Sequence, residues 1–245
     1  MIDKSVFQPV QTEPAYRLAA RQMRQQILSG EIKVGDALPS ELALADLLKV
    51  NRSTLREAIR LLEENGMVAR KPGGKKLFVS VPRTEDLSDR MTGAMILQKI
   101  SLSDLYRTML VLEPAIAAEA AHHANETHLA QLAANIEASR VPDLEHAQLA
   151  QLDTEFHDLI VQASGNRAML LCRQPFGGLF YPAFEAVIRR LNAGERLQAA
   201  HNAIFEAIRD RDPETAESWM RKHIQDFRRG YELANLDIEM PISNL

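Results

Sequence analysis

Asp153 and His157 stand four residues apart in Leu152-Asp153-Thr154-Glu155-Phe156-His157. On a helix that spacing places a carboxylate and an imidazole on one face, one turn apart. Such a pair can chelate a divalent ion. Two further histidines follow: His201 near the start of one helical stretch and His223 inside the last. Ile204, Phe205 and Ile208 mark a core-facing stripe beside the first, and Trp219, Ile224 and Phe227 mark one beside the second. A histidine beside such a stripe points inward and needs a partner. Four inward polar groups from three helices could meet at one ion in a bundle core. Taken singly, a helix histidine is more often a surface residue or a satisfied core group than a ligand. His122, His123, His128 and His146 have no such company and read as surface residues.

A second constellation lies upstream. Arg52, Ser53, Thr54 and Arg56 share the first turns of one short helix, and Lys71, Lys75 and Lys76 flank Gly73-Gly74 in a hairpin loop. Arginine pairs bidentately with guanine edges, and serine and threonine donate to phosphates. Lysines on a loop tip suit the phosphate backbone or the minor-groove rim. The plain alternative is a solvated helix face, with Arg52 and Arg56 held by Glu57 and Glu63.

The elements that must position these groups follow from periodicity and punctuation. A helix is expected from Ala15 to Leu28, its stripe built from Leu18, Met23, Ile27 and Leu28 and its end marked by Gly30. Val34 to Pro39 reads as turns. Ser40 caps a short helix from Glu41 to Leu48. Asn51 or Ser53 opens the next, which runs to Asn65 and stops at Gly66 in the left-handed position. Met67–Ala69 and Leu77–Val79 read as a hairpin. From Asp86 onward only helices are expected: 86–99, 103–122, 126–139, 143–163, 167–191, 195–209 and 213–233. Pro114 kinks or breaks the second of these unless it opens a new helix, and Pro175, Gly177-Gly178 and Pro182 interrupt the fifth. Residues 1–13 read as a loose arm.

The fold class expected is mainly α. Residues 12–81 form a winged helix-turn-helix of three helices plus a β-hairpin wing, whose third helix would enter the major groove. Residues 84–235 form an all-helical bundle. Charge follows the same division. The chain carries −4 overall, but residues 12–81 hold 12 basic and 8 acidic side chains against 17 and 25 elsewhere. A basic segment joined to an acidic body suggests that one part alone meets a polyanion. The single cysteine, Cys172, excludes an intrachain disulfide and suits a reducing cytoplasm. No apolar run approaches the ~20 residues that cross a bilayer, so no membrane partner is expected. Met1 to Gln11 lacks the basic start and apolar core of a signal peptide.

With these motifs in place the chain resembles a known family. Gly30-Glu31-Ile32-Lys33-Val34-Gly35-Asp36-Ala37-Leu38-Pro39-Ser40-Glu41 looks like the entry to a GntR-type winged helix. Val50 to Ala58, followed by Leu61 to Val68, looks like its recognition helix and the turn after it. The resemblance implies base and phosphate contacts at Arg52 and Arg56, with Ser53 and Thr54 beside them. Two positions depart from the pattern: Leu42 replaces a common arginine, and Lys76 stands where the wing usually keeps a second glycine. The helical region resembles the FCD effector domain of the FadR branch. The matching runs are Leu112-Glu113-Pro114, Asp153 to His157 with Ser164-Gly165-Asn166, His201 to Ile204, and Met220 to Ile224. This implies that Asp153, His157, His201 and His223 hold a divalent metal, with zinc, nickel and manganese all used in the family. Many members place an arginine three residues before the Leu-Glu-Pro, in the effector cavity. Met109 holds that position here, Arg107 would face elsewhere on the helix, and Arg173 and Arg189 are the alternatives. No effector-binding residue is therefore assigned.

The function expected is a cytoplasmic, homodimeric transcription regulator, read as a repressor. Its affinity for a double-stranded operator would be controlled by a small metabolite, a carboxylate, bound near the metal. A regulator with a purely structural metal and no effector is one alternative. A metal-dependent enzyme is the other, with the ion activating water. Against the enzyme, Glu155 points roughly 160–200° away from Asp153 and His157 at 100° per residue, and no nucleophile motif or glycine-rich phosphate loop accompanies the cluster.

Overall fold

The computed structural model describes residues 13–141, 144–191 and 194–244. The loose arm expected for residues 1–13 lies outside the described residues apart from Glu13. So do Thr12, the first residue of the expected DNA-binding segment, and Asp143, the expected start of one helix. The chain divides into two compact units, one ending at Arg83 and one beginning at Thr84.

In the first unit, side-chain caps set the helix starts. Helix α1 (Ala15–Leu28) is followed by α2 (Glu41–Leu47) and α3 (Arg52–Glu64). Ser40 Oγ accepts from Ala43 N at 3.3 Å, and Asn51 Oδ1 accepts from Thr54 N at 2.7 Å. Each satisfies an amide that the first turn of a helix leaves without a partner. Asn51 is thus the cap, and Ser53 lies one residue inside the helix. Helix α3 buries Leu55, Ala58, Ile59 and Leu62, which have the i, i+3, i+4, i+7 spacing of one face. Gly66 ends the turn with φ +67, and a Cβ there would lie 2.9 Å from Pro82 Cα, so both conformation and space favour glycine.

Strands β1 (Val68–Arg70) and β2 (Leu77–Val79) pair antiparallel with Ala69 opposite Phe78. Residues 35–38, expected as turns only, also bond to the outer edge of β2. Leu38 N reaches Leu77 O and Val79 N reaches Asp36 O, both at 2.9 Å. The wing is therefore anchored on both sides. Helix α1 differs from expectation. Its buried residues are Ala19, Ala20 and Met23, whereas Leu18 and Leu28 are exposed. Both leucines lie about 140° around the helix from Met23, so the stripe drawn through them was out of phase with the core.

The second unit is a helical bundle: α4 (Thr84–Leu97), α5 (Leu102–His123), α6 (Glu126–Ser139), α7 (His146–Ala163), α8 (Arg167–Leu191), α9 (Gly194–Arg209) and α10 (Pro213–Leu233). Helix α5 runs along α10, and Ile116, Ala117, Ala120 and Ala121 are fully buried on α5. Ser101 and Asp104 form a reciprocal capping box at the start of α5. The chain after α10 returns to this point, where Ser103 N donates to Ile238 O at 2.8 Å and Ile242 N to Ile100 O at 3.0 Å.

The prolines do not break helices here. Helix α5 continues through Pro114, and α8 is one continuous helix through Pro175 and Pro182. An internal proline costs about 3 kcal/mol through a lost hydrogen bond and a steric clash. The carbonyl that Pro114 leaves without its helical partner, Leu110 O, accepts from Arg221 Nη1 at 3.3 Å. In α8, burial of Phe176, Leu179, Ala183, Val187 and Ile188 opposes the cost, at roughly 1.5–3 kcal/mol for a large side chain. No helix among the described residues is long and apolar enough to cross a membrane.

Candidate metal centre and nucleic-acid face

Helix α7 carries Asp153 and His157 on its buried face, α9 contributes His201 and α10 contributes His223; all four are buried. One ligand atom from each lies within 4.8 Å of all the others. His201 Nε2 is 3.1 Å from Asp153 Oδ1, and His157 Nε2 is 3.1 Å from His223 Nε2. Asp153 Oδ1 is also 3.6 Å from His223 Nε2 and 3.9 Å from His157 Nε2. Ligand bonds of 2.0–2.2 Å at tetrahedral or octahedral angles separate neighbouring donors by about 3.0–3.5 Å. The four atoms have the spacing, and three nitrogens with one carboxylate oxygen have the chemistry, to hold a divalent ion. Among the described residues no other set of three or more such groups meets this way.

What lies behind the ligands fixes their tautomers. Glu113 Oε2 accepts from His157 Nδ1 at 3.0 Å, so the neutral ring keeps its lone pair on Nε2, facing the cluster. The ring of His201 stacks on Phe156 with centroids 3.8 Å apart. Glu113 Oε1 accepts from Arg173 Nε at 3.0 Å, and Arg173 Nη1 pairs with Asp158 Oδ1. Burial alone would raise the Glu113 carboxyl, but His157 and Arg173 hold it at about 2. Burial would also raise Asp153, and the histidines around it hold it well below the usual carboxylate range. Burial pushes His201 down to about 4 against the pull of Asp153. Burial opposes the charged form of His157 as well, but Glu113 outweighs it and the ring is raised.

A cavity of about 40 Å³ adjoins the cluster, walled by Asp153, His157 and His223 together with Met109, Arg173 and an apolar set that includes Phe180, Phe184 and Phe227. Of the two alternative arginines, Arg173 lines this cavity and Arg189 is exposed. Arg173 Nη2 makes no hydrogen bond to a described residue. Sequence reasoning assigned no role to Glu113 or Asp158. Glu113 carried a signal: a carboxylate whose helix neighbours at three and four residues, Leu110, Ile116 and Ala117, are all apolar. Of the four histidines expected on the surface, His122, His123 and His146 are exposed. His128 is half-buried and serves a cap, its Nδ1 accepting from Asn125 N at 3.4 Å.

In the first unit, Arg52, Ser53 and Arg56 are exposed at the start of α3, Thr54 is half-buried, and Lys71, Lys75 and Lys76 are exposed on the wing. Arg52 has no hydrogen bond or ion pair with a described residue. Ser53 Oγ donates to the capping Asn51 Oδ1 at 2.7 Å. Arg56 is held by Glu41, at 3.0 Å, and not by Glu57 or Glu63. Glu41 also receives Arg70 Nη2 at 3.1 Å, while Arg70 Nε reaches Glu63 at 3.1 Å and its Nη1 donates to Lys75 O at 2.6 Å. The hydrogen bond from Arg56, with help from Arg70, lowers the Glu41 carboxyl against partial burial. Glu41 therefore ties α2, α3 and the wing together. Lys71 Nζ stands 4.7 Å and Lys76 Nζ 5.9 Å from the Phe78 ring centroid, within cation–π range.

Comparison with known proteins agrees with both halves. Residues 15–75 match the model for bacterial regulatory proteins of the gntR family, and residues 104–226 match the FCD domain. The Glc operon transcriptional activator of Escherichia coli K12 is 27% identical over 239 residues, covering 93% of this chain and 91% of that protein. The HTH-type transcriptional repressor NanR of Cronobacter sakazakii is 24% identical over 221 residues, covering 88% and 85%. The structure of Streptococcus agalactiae GntR aligns with a TM-score of 0.60 at 29% identity, covering 87% of this chain and 99% of that one. The matched domains and relatives are those of transcription regulators, not enzymes.

Proposed function

The chain belongs to the gntR family of bacterial regulatory proteins, in the FadR-like branch with a C-terminal FCD domain, and from that premise we propose a metal-dependent, metabolite-responsive repressor. That it is a DNA-binding transcription regulator follows from the family. The finer reading assigns DNA contact to residues 12–81 and sensing to residues 84–235, in a cytoplasmic homodimer that binds paired half-sites.

One observation carries the sensing assignment. Asp153, His157, His201 and His223 converge beside a cavity that also holds Arg173. Those four residues would hold the ion, with zinc, nickel and manganese all compatible with the donor set. When bound, the ion supplies a positive charge that attracts a carboxylate. Arg173 offers a second positive group on the same wall, supplied from α8 where Met109 leaves none on α5. The effector class is thus a small organic acid, its carboxylate shared by the metal site and Arg173 and its body against the phenylalanines. A thermal-shift screen of organic acids on metal-loaded protein tests this. A true effector raises the melting temperature in proportion to ln(1 + [L]/Kd), and loses the effect when the metal is stripped.

Repression is proposed as the output, as for the relative named as the NanR repressor. The Glc operon relative is named as an activator; a reporter gene behind an enriched operator decides between the two, its expression falling when this protein is present if the output is repression. The cavity volume supports a second reading. About 40 Å³ holds an ion with a few waters, so a purely structural metal fits this conformation without opening. In that case no metabolite changes DNA affinity, and removing the metal lowers only the melting temperature.

A further inference from the structure

Leu42 occupies the first turn of α2 and is 60% exposed. It lines a groove shared with Arg52 and Arg56 of α3 and Lys75 and Lys76 of the wing. The core demand of α2 is met by Leu44 and Ala45, which are buried, so Leu42 is not needed for packing. Its place is nevertheless fixed. The preceding residue, Glu41, is tied to both Arg56 and Arg70, holding this turn of α2 against the recognition helix and the wing. Leu47, also exposed on α2, does not line the groove.

An exposed apolar side chain on a fixed turn among cations calls for a polyanion that also presents an apolar group. The major groove of duplex DNA offers one such group, the C5-methyl of thymine. We propose that Leu42 is a specificity-determining residue that packs against a thymine methyl in each operator half-site. This rests on the reading of residues 12–81 as the DNA-binding segment.

The test uses full-length protein and duplexes enriched with it from a random-sequence pool. Each thymine of the enriched half-site is replaced in turn by deoxyuridine, which removes the methyl alone. One thymine per half-site should be sensitive, its replacement weakening binding about fourfold, the scale for burying one methyl-sized group. L42A should bind the thymine duplex more weakly by a similar factor and be indifferent to the replacement. L42M should keep the sensitivity. Melting temperature and salt dependence should match wild type in both variants. Sensitivity at no thymine, or sensitivity that survives in L42A, overturns the proposal and leaves DNA binding intact. Failure to enrich any duplex removes the underlying reading and the proposal together.

Discussion

Glu113 and His157 meet at 3.0 Å, the carboxylate of α5 against the Nδ1 of α7, on the opposite edge of the ring from the Nε2 that faces Asp153 and His223. This pairing fixes which nitrogen can serve a metal. It also passes the position of α5, through Arg173, to Asp158 and the cavity wall. Replacing Glu113 by Gln keeps the shape and removes the charge. Metal affinity should fall about 10–100-fold, as it does when such a supporting partner is lost. Competition with a graded series of chelators measures it, and an unchanged affinity would show that the carboxylate does not tune the site.

Carefully purified protein should carry about one divalent ion per chain, and His201→Ala should reduce that content. Stripping the ion should lower the melting temperature, because an ion bound only by the folded state stabilises it by mass action. Elemental analysis with differential scanning fluorimetry reads both. Metal-free protein whose melting point is unmoved by His201→Ala would make the four residues ordinary core polar groups.

The site's affinity should depend on pH with a definite sign. His157 is raised above its ordinary value by Glu113, against burial. Metal takes the neutral ring, so below that raised value binding must release its proton and affinity falls about tenfold per pH unit as pH drops. His201, pushed down to about 4, is neutral from pH 5 to 8 and adds no slope there. Isothermal titration in buffers of different ionisation enthalpy counts the proton. No release near pH 6 contradicts the Glu113–His157 coupling.

Arg173 is 2% exposed and faces two carboxylates. Arg173→Met leaves Glu113 buried with His157 as its remaining charge partner, and breaking a buried pair this way costs about 3–5 kcal/mol. Urea denaturation of the metal-loaded protein should show an unfolding free energy lowered to that extent. The double variant with Glu113→Gln should recover part of the loss, because the uncompensated charge is gone. Additive losses would mean that the two residues do not act as a pair.

Glu41 makes a prediction for DNA. Glu41→Gln frees Arg56 and Arg70 from their shared anion and removes a negative charge from the face proposed to meet phosphates. Binding to random duplex should tighten while binding to an enriched operator changes less, so the specificity ratio falls. Fluorescence anisotropy on both duplexes reads the ratio. A ratio that holds or rises would show that Glu41 does not set the arrangement.

The convergence of Asp153, His157, His201 and His223 is legible in the sequence because two local signals survive folding. Asp153 and His157 are one helix turn apart whatever surrounds them, and His201 and His223 sit beside apolar stripes that point them inward. The cap at Ser40 and the left-handed Gly66 are likewise local chemistry. What could not be read depends on partners far away in sequence. Pro175 and Pro182 looked like breaks because the local cost is visible and the packing of α8 is not. Leu18 and Leu28 looked buried because composition does not give the phase of a helix whose core face is mostly alanine. Residues 35–38 looked like turns because their bonding partners, Leu77 and Val79, lie some forty residues on. Glu113 and Arg173 are 60 residues apart, and nothing local to either announces the other.

In the proposed function, the grip on DNA is set at the cluster of Asp153, His157, His201 and His223. The most direct measurement is the affinity of full-length, metal-loaded protein for an enriched operator duplex, titrated with whichever organic acid raises its melting temperature most. The acid should weaken operator binding at least several-fold, and H201A should bind operator but no longer respond. An operator affinity unchanged by every stabilising acid, with wild type and variant alike, would contradict the proposed function.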